Sequence, residues 1–239
     1  MARRSGLSSL SGLFVTGTGT EVGKTVVAAA IARSQAAEGR RVSVFKPAVT
    51  GLAEPGEADH ELLRRASGSH QSDDQIAPYR YDPPASPHLA AELAGERIEP
   101  PRLLRAAQRA GAEAEILICE GVGGLMVPLA PGYLVRDLAR ELALPLIVAA
   151  PPGLGTINHT LLTLEAARSA GLDLAAVVLT PWPSDPDPVA SSNRRTLESL
   201  GGVPVTVLGP LDLKHPDSWP RLEVPRVGTG AGPRGPRRS

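Results

Sequence analysis

The chain has no excess of either charge and no long apolar run. Its 239 residues include 25 Lys and Arg and 25 Asp and Glu, so the formal net charge at neutral pH is zero. A protein without an overall field has no long-range attraction for nucleic acid or for an anionic membrane surface. No apolar run approaches the roughly 20 residues that span a bilayer. We therefore expect no nucleic-acid partner and no membrane contact, and any phosphate site must be built from local groups.

Cysteine is nearly absent. The only one, Cys119, lies in an apolar run and has no second cysteine with which to form an internal disulfide. Such a chain suits the reducing cytoplasm, which is the location that we expect. Arg3 and Arg4 resemble the start of a signal peptide, but serines and a glycine interrupt the apolar stretch that follows them.

Large apolar residues are also scarce near the C-terminus. The stretch 221–239 is rich in Gly, Pro and Arg and has almost none after Val227, so it cannot offset the entropy lost on ordering. A nucleic-acid arm is the alternative for its arginines, but the stretch has no aromatic residues on which bases would stack. We therefore divide the chain into a domain at 1–220 and a disordered tail at 221–239.

Short apolar, β-branched runs alternate with stretches of helical periodicity, which is typical of a parallel sheet with helices on both faces. The runs that predict strands are 13–16, 42–45, 115–119, 144–150, 175–180 and 203–208. Helices are predicted at 26–38, 101–114, 156–171 and 188–200, and the proline-rich stretch 79–101 predicts an ordered loop with a short helix. We expect a single α/β domain whose mostly parallel sheet has roughly seven strands, with all their carboxyl ends at one edge.

The segment 16–25 carries the clearest functional signal, reading Thr-Gly-Thr-Gly-Thr-Glu-Val-Gly-Lys-Thr. It joins a predicted strand to a predicted helix, which is the context of a phosphate-binding P-loop. Its glycines let successive amides point inward, and the positive end of the helix adds to the anion site. We expect Lys24 to contact the β- and γ-phosphates and the Thr25 hydroxyl to ligate Mg²⁺. Because strand, glycines, Lys and Thr are in register, an ordinary glycine-rich turn is the weaker alternative, and a P-loop NTPase-type fold is predicted.

Two charged residues, Lys46 and Glu120, each follow an apolar run. An ammonium at the end of a buried strand suits a phosphate, although a snorkelling surface lysine is the alternative. A carboxylate at the end of a buried strand needs a compensating positive charge. Either a bound metal ion or a structural ion pair would supply it. Asp59 precedes a helix-like stretch, so it either caps that helix or lies near Mg²⁺. Thr25, Asp59 and Glu120 together predict a magnesium site.

A second helix start follows the run 144–150. The segment 153–159 reads Gly-Leu-Gly-Thr-Ile-Asn-His, and the free amides of such a start can receive a carboxylate. His159 is a candidate general base, but it has no visible partner, and a structural role is the favoured alternative. The remaining histidines do not have the spacing of metal ligands.

Four blocks of the sequence form one pattern when they are taken together. They are the segment 16–25, Lys46-Pro-Ala-Val-Thr-Gly51, Glu120-Gly-Val-Gly-Gly-Leu-Met-Val-Pro-Leu129 and Leu154-Gly-Thr-Ile-Asn-His159. In order and spacing they resemble the motifs of dethiobiotin synthetases. The resemblance covers about residues 12–210, and the segments 182–183 and 192–194 look like those of actinobacterial members. Gly17 and Gly23 enclose one residue more than the usual P-loop pattern, and this spacing reduces the number of P-loop families that the sequence can resemble.

The resemblance implies an ATP-dependent cyclo-ligase of biotin biosynthesis that works as a homodimer with Mg²⁺. Such enzymes form the ureido ring of dethiobiotin from 7,8-diaminopelargonate, CO₂ and ATP. One amine of the diamine captures CO₂ as a carbamate, whose oxygen takes the γ-phosphoryl group to give a carbamic-phosphoric anhydride. The second amine then closes the ring and expels phosphate.

The resemblance also assigns roles residue by residue. Lys24 and Lys46 are the catalytic residues, and Thr25, Asp59 and Glu120 are the metal ligands. The nucleotide-binding residues are Gly19, Thr20, Glu21, Val22, Gly23, Lys24, Thr25, Val26, Thr180 and Pro181. The diamine-carbamate is bound by Thr20, Lys46, Thr50, Glu120 and Gly123, and its distal carboxylate by Gly153, Leu154, Gly155, Thr156 and Asn158 of the neighbouring subunit.

Two departures from the family pattern concern single positions. Thr50 stands where a serine is common, which keeps the hydroxyl group. Thr180 and Pro181 stand where many members have an asparagine that reads adenine. ATP is therefore the expected nucleotide, while selectivity for the base stays open.

Three other functions share parts of this pattern. A switch ATPase of the partitioning kind has the same P-loop class, but usually carries an additional lysine near the start of the loop, where this chain has Thr16 and Thr18. An amidating ligase of corrinoid biosynthesis matches fewer blocks and usually adds a glutaminase domain, for which this length leaves no room. A non-enzymatic nucleotide-binding regulator is the third. The cyclo-ligase accounts for the most blocks.

Overall fold

A computed structural model of the protein describes residues 10–225, in which strands and helices alternate. The elements are β1 (Gly12–Gly17), α1 (Lys24–Ala37), β2 (Val42–Phe45), β3 (Val49–Thr50), α2 (Asp59–Ser67), α3 (Asp73–Ile76), β4 (Arg80–Tyr81), α4 (Pro87–Leu93), α5 (Pro100–Ala112), β5 (Ile116–Gly124), β6 (Pro128–Ala130), β7 (Tyr133–Leu134), α6 (Val135–Leu142), β8 (Leu146–Ala150), α7 (Thr156–Ser169), β9 (Leu174–Leu179), α8 (Pro188–Leu200), β10 (Val205–Val207) and a 3₁₀ turn at Pro216–Ser218. The four helices predicted from periodicity are confirmed to within two residues at each end, and α4 is the short helix of the proline-rich stretch. Residues 1–9, and the part of the predicted tail from residue 226 onward, lie outside the described residues.

Six strands form one parallel sheet in the order β10-β9-β8-β1-β5-β2. β1 lies at its centre, with Phe14 opposite Cys119 of β5 on one side and Leu146 of β8 on the other. Every residue of β1 is buried, which explains why its sequence is almost entirely apolar rather than alternating. The α/β class and the parallel sheet are confirmed. The sheet has six strands rather than about seven, because the remaining extended segments form two separate pairs, β3 with β4 and β6 with β7.

Helices cover both faces of this sheet. α1 and α2 pack on one face, in a cluster that includes Leu13 and Val15 of β1. α5, α6, α7 and α8 pack on the opposite face, where Phe14 of the same strand points. α1 is rich in alanine and buried on most sides, because it contacts the sheet on one side and α2 on the other. Within residues 10–225, no helix has the length and apolar character needed to cross a membrane.

The chain after β10 returns across the helices of the α1 face. Arg33 of α1 forms a salt bridge with Asp217 at 2.9 Å, and the amide of Leu222 donates to the Ser34 hydroxyl at 2.9 Å. The side chains of Trp219 and Leu222 are buried in the α1 cluster. The packed chain therefore continues past residue 220, where the sequence placed the end of the domain.

Gly12 is a point of close approach between β1 and β5. A Cβ atom at this position would lie 2.0 Å from the carbonyl oxygen of Leu117, which is backbone and cannot move aside alone. We expect Gly12→Ala to lower the free energy of unfolding by about 2 kcal/mol or more, because the two strands must shift to accept a methyl group. Chemical denaturation measures this loss.

Gly209→Ala is the matched control, since its Cβ would lie at an ordinary 3.6 Å from the Trp182 carbonyl oxygen. It should change the free energy of unfolding by less than about 0.5 kcal/mol. A Gly12→Ala variant as stable as the wild type would contradict the packing of β1 against β5.

Candidate active site

The phosphate loop occupies residues 18–23, between β1 and α1. The helix begins at Lys24, and Gly23 precedes it in a left-handed conformation with φ of 85°. A Cβ atom on Gly23 would lie 2.6 Å from Cγ2 of Thr180, so only glycine fits there. No side chain caps the start of α1, which leaves its first amides for an anion. The contact also places Thr180, at the end of β9, beside the phosphate loop.

Lys24 is buried within the loop that it serves. Its Nζ atom donates to the carbonyl oxygen of Gly19 at 2.7 Å, and its side chain is almost inaccessible to water. Burial lowers the pKa of Lys24, and the attraction of Glu120 opposes this effect without overcoming it. Because no carboxylate within residues 10–225 forms a salt bridge with it, the ammonium is held only by a neutral carbonyl. A phosphate, which is negatively charged, would therefore be a better partner for the Lys24 ammonium than the neutral Gly19 carbonyl.

Four side chains from distant parts of the sequence meet beside this loop, and we call them the Lys46 cluster. They are Thr25, Lys46, Asp59 and Glu120. Nζ of Lys46 lies 2.5 Å from Oε1 of Glu120 and 2.8 Å from Oδ2 of Asp59. The Thr25 hydroxyl lies 2.9 Å from Oδ1 of Asp59 and 2.8 Å from Oε1 of Glu120. The end of β2, the start of α2 and the middle of β5 thus converge on the first turn of α1.

Two of the alternatives raised by the sequence are excluded by these contacts. Lys46 is only 3% exposed, so it is not a snorkelling surface lysine. Asp59 is the first residue of α2 and Ala58 occupies the capping position, so the Asp59 carboxylate does not cap the helix. Glu120 does form the ion pair that the sequence offered as its structural role, but only one of its oxygens takes part.

Burial and charge oppose each other in the ionisation of the Lys46 cluster. Burial alone would lower the pKa of Lys46, but the carboxylates of Glu120 and Asp59 hold that pKa above its usual value. Burial would raise the pKa of Asp59, but Lys46 keeps it below its usual value. For Glu120, burial outweighs the attraction of Lys46 and raises the pKa. Lys46 and Asp59 therefore stay charged at neutral pH, and Glu120 is the group that a further cation would stabilise most.

The oxygens of the Lys46 cluster suit a magnesium ion. Oε2 of Glu120 is buried and has no hydrogen-bond partner among the described residues. The Thr25 hydroxyl has one hydrogen, so it can donate to only one of the two carboxylates that it touches. Within residues 10–225, no three His, Cys, Asp or Glu side chains group around a common metal position. The protein would thus supply few ligands, and phosphate oxygens and water would supply the rest, as Mg²⁺ commonly requires.

The remaining residues predicted for the diamine-carbamate lie around this edge of the sheet. The Thr20 hydroxyl lies 3.9 Å from the position that a Cβ atom of Gly123 would take, so these two residues face each other. Thr50 is half-buried in β3, where it pairs with Tyr81. No hydrogen bond joins Thr50 to the Lys46 cluster within the described part of the chain.

The predicted carboxylate loop, residues 153–158, lies at the same carboxyl edge of the sheet as the phosphate loop, because β8 is parallel to β1 and adjacent to it. It follows β8 and opens α7, which packs on the face of the sheet opposite α1. Leu154 is 96% exposed and Asn158 is exposed. Asn193 of α8 donates to the carbonyl oxygens of Pro152 and Gly153, both at 2.9 Å. The structure does not join this loop to the Lys46 cluster of the same chain by any hydrogen bond among residues 10–225.

Comparison with known proteins shows the family to which this chain belongs. A family model described as an AAA domain matches residues 11–220. The ATP-dependent dethiobiotin synthetase BioD of Bacillus subtilis strain 168 is 37% identical over 202 residues, covering 84% of this chain and 87% of that protein. The protein of the same name from Rhodococcus erythropolis strain PR4 is 39% identical over 203 residues, covering 84% and 88%. The chain belongs to the dethiobiotin synthetase family.

The fold extends beyond the dethiobiotin synthetase family. A ParA family ATPase from Chlorobium tepidum TLS has a similar structure, with a TM-score of 0.53 at 11% identity, covering 87% of this chain and 89% of that one. At this level of identity the likeness concerns the fold alone. It agrees with the α/β fold and the mostly parallel sheet that the sequence predicted.

Some contacts of this dethiobiotin synthetase family member cannot be read from its sequence. The motif indicates that Lys24 is a phosphate ligand, but not that the Gly19 carbonyl holds it. Lys46 and Glu120 each follow an apolar run, which predicts that both lie at the same edge of the sheet. It does not predict that Lys46 forms ion pairs with both Glu120 and Asp59. Asn193 stands in a helical stretch with no chemical signal of its own. Only the proximity of α7 and α8 reveals its contact with the carboxylate loop.

Replacing Lys46 by methionine removes the cation from between two carboxylates and keeps much of the side-chain volume. We expect Lys46→Met to lower the free energy of unfolding by about 3 kcal/mol without Mg²⁺, because it leaves buried charge uncompensated. Millimolar Mg²⁺ should restore part of this loss, since a ligand of the folded state stabilises that state. Calorimetry with and without Mg²⁺ measures both effects.

Lys214→Met is the matched control, because Lys214 is exposed and forms no salt bridge among the described residues. Its free energy of unfolding should change by less than about 0.5 kcal/mol. An unchanged stability of Lys46→Met, or a loss that Mg²⁺ leaves untouched, would show that Lys46 does not compensate these carboxylates.

Proposed function

We propose that this protein is an ATP-dependent cyclo-ligase of biotin biosynthesis, which forms the ureido ring of dethiobiotin from 7,8-diaminopelargonate, CO₂ and ATP. The observation that carries the proposal is the buried Lys46 cluster beside an uncapped phosphate loop. It supplies a second cation facing the place where a γ-phosphate would lie. The printed names of the relatives at 37% and 39% identity support the same reaction.

The nucleotide half of the proposed site is the phosphate loop. Residues 19–26 would bind the triphosphate, with Lys24 moving from the Gly19 carbonyl to the β- and γ-phosphates. Thr25, Asp59 and Glu120 would hold Mg²⁺, whose bound charge would offset that of the phosphate oxygens. The unpartnered Oε2 of Glu120 supports this assignment, since a buried carboxylate oxygen needs a compensating group.

The diamine-carbamate would lie between the phosphate loop and Lys46. Thr20, Thr50 and Gly123 would line its place, and Lys46 would stabilise the negative charge of the carbamate as its oxygen bonds to the γ-phosphorus and ADP leaves. The second amine then attacks the carbonyl carbon of the anhydride and releases phosphate. No protein nucleophile is required. Cys119 is unsuited to that role, because burial raises the pKa of its thiol.

The distal carboxylate of the diamine would bind at residues 153–158 of a second subunit. Within one chain no hydrogen bond among residues 10–225 joins this loop to the Lys46 cluster, and a homodimer would bring a second copy of the loop to each site. Leu154 is 96% exposed in the loop, and Leu162 is 61% exposed on α7. Exposed apolar residues beside a proposed contact support an interface there.

Thr180 lies beside Gly23 of the phosphate loop, and Thr180 and Pro181 would flank the nucleotide base. The relatives are named as ATP-dependent, which supports ATP as the co-substrate. Thr180 carries no carboxamide, the group with which an asparagine would read adenine. Turnover with ATP, CTP and GTP, compared at equal concentration, would establish the base selectivity.

The function is tested by incubating the protein with 7,8-diaminopelargonate, bicarbonate, Mg²⁺ and ATP. We expect dethiobiotin, detected by its mass, and phosphate release that depends on the diamine. Lys24→Ala and Lys46→Ala should each abolish the product, because each removes a cation from the transferred phosphoryl group. Phosphate release that ignores the diamine would instead favour a switch ATPase.

Asn158→Ala tests the carboxylate loop. It should raise the KM for the diamine about 10-fold, as expected for a lost hydrogen bond to a charged group. The KM for ATP should stay unchanged, because the proposed contact of this residue is with the diamine and not with the nucleotide. His159→Ala is the control on the next exposed position and should leave both constants as they are. An equal rise in both KM values for Asn158→Ala would contradict the assignment.

A further inference from the structure

Asn193 is a buried amide whose hydrogens both serve one loop. Its side chain is only 7% exposed in α8. The Nδ2 atom donates to the carbonyl oxygens of Pro152 and Gly153, each at 2.9 Å. A carboxamide nitrogen has two hydrogens, so both are committed to the segment that leads from β8 to α7.

These two hydrogen bonds fix the direction of two backbone amides. In a planar trans peptide, the C=O of one residue and the N–H of the next point in opposite directions. Because the carbonyls of Pro152 and Gly153 point at Asn193, the N–H groups of Gly153 and Leu154 point away from it. Both of these residues are exposed, and neither N–H donates to another backbone group in the described part of the chain.

The start of α7 adds further donors beside this loop. Gly155 precedes the helix with φ of 89°, and no side chain caps it. The Thr156 amide donates to the Gly153 carbonyl at 3.3 Å and the His159 amide to the Gly155 carbonyl at 3.1 Å, so Ile157 and Asn158 supply the unpaired amides of this turn among the described residues. Together with the amides of Gly153 and Leu154, they form a group of N–H donors of the kind that binds an anion.

We propose that Asn193 is a positioning residue that sets the specificity for a diamine with a carboxylate. This inference rests on the proposed function, in which residues 153–158 bind the distal carboxylate. Asn193 does not itself touch the substrate, because both of its hydrogens are used and its carbonyl oxygen would repel a carboxylate. It acts by holding the Pro152 and Gly153 carbonyls inward, which keeps the loop amides turned toward the substrate.

The experiment compares two diamines. One is 7,8-diaminopelargonate and the other is 2,3-diaminononane, which keeps the chain and the vicinal amines but has a methyl group in place of the carboxylate. Asn193→Asp removes both donors without changing the shape of the side chain. We expect it to lower kcat/KM for 7,8-diaminopelargonate about 10-fold or more, through KM. The kcat/KM for 2,3-diaminononane and the KM for ATP should stay at their wild-type values.

Two further variants separate this role from general stability. Asn193→Ala removes the donors without adding charge, and it should reproduce the effect if Asn193→Asp does not fold. Arg168→Ala is the matched control, because Arg168 of α7 donates to the Gly201 carbonyl and so joins the same two helices at their other end. It should lower the melting temperature and leave the ratio of the two kcat/KM values unchanged.

Equal losses for the two diamines in the Asn193 variants, or no loss for either, would overturn the positioning role and leave the proposed function standing. A wild-type protein that forms no dethiobiotin from 7,8-diaminopelargonate would overturn the proposed function, and the role of Asn193 with it.

Discussion

The contact of the buried Lys46 with Glu120 and the half-exposed Asp59 is the interaction on which the site depends. An ammonium that is 3% exposed is costly to bury unless anions compensate it, and a carboxylate that is 0% exposed has the same need. The end of β2, the middle of β5 and the start of α2 must therefore meet at one place. Their meeting holds α2 against α1 and brings acidic oxygens to Thr25, the residue that follows the phosphate-loop lysine.

The order of the strands explains where along the sheet the residues proposed to bind each reactant lie. β1 delivers the phosphate loop at the centre of the sheet, while β5 and β2 bring Glu120 and Lys46 from one side. β8 and β9 bring the loop at 153–158 and Thr180 from the other side. All of these groups therefore lie at the carboxyl edge of the sheet, while α1 and α7 cover its opposite faces.

Much of this arrangement follows from the sequence, and the reasons differ from residue to residue. Lys24 and Thr25 are predictable because a P-loop needs their chemistry at a fixed spacing. Lys46 and Glu120 are predictable as members of one edge, because parallel strands place their carboxyl ends together. The ion pair of Lys46 with Asp59 is not predictable from the sequence, because it depends on how α2 packs. No local sequence pattern determines the packing between distant segments. The burial of Leu222 against α1 likewise depends on packing between segments that are distant in the sequence.

The central claim is that this phosphate loop directs the γ-phosphoryl group of ATP to a carbamate oxygen rather than to water. The most direct test uses freshly dissolved ¹⁸O-labelled bicarbonate in unlabelled water, with 7,8-diaminopelargonate, Mg²⁺ and ATP. Mass spectrometry of the released phosphate reports which oxygen received the phosphoryl group. The account predicts that phosphate carries a labelled oxygen from bicarbonate in proportion to the dethiobiotin formed. Phosphate whose new oxygen comes only from the solvent would contradict it.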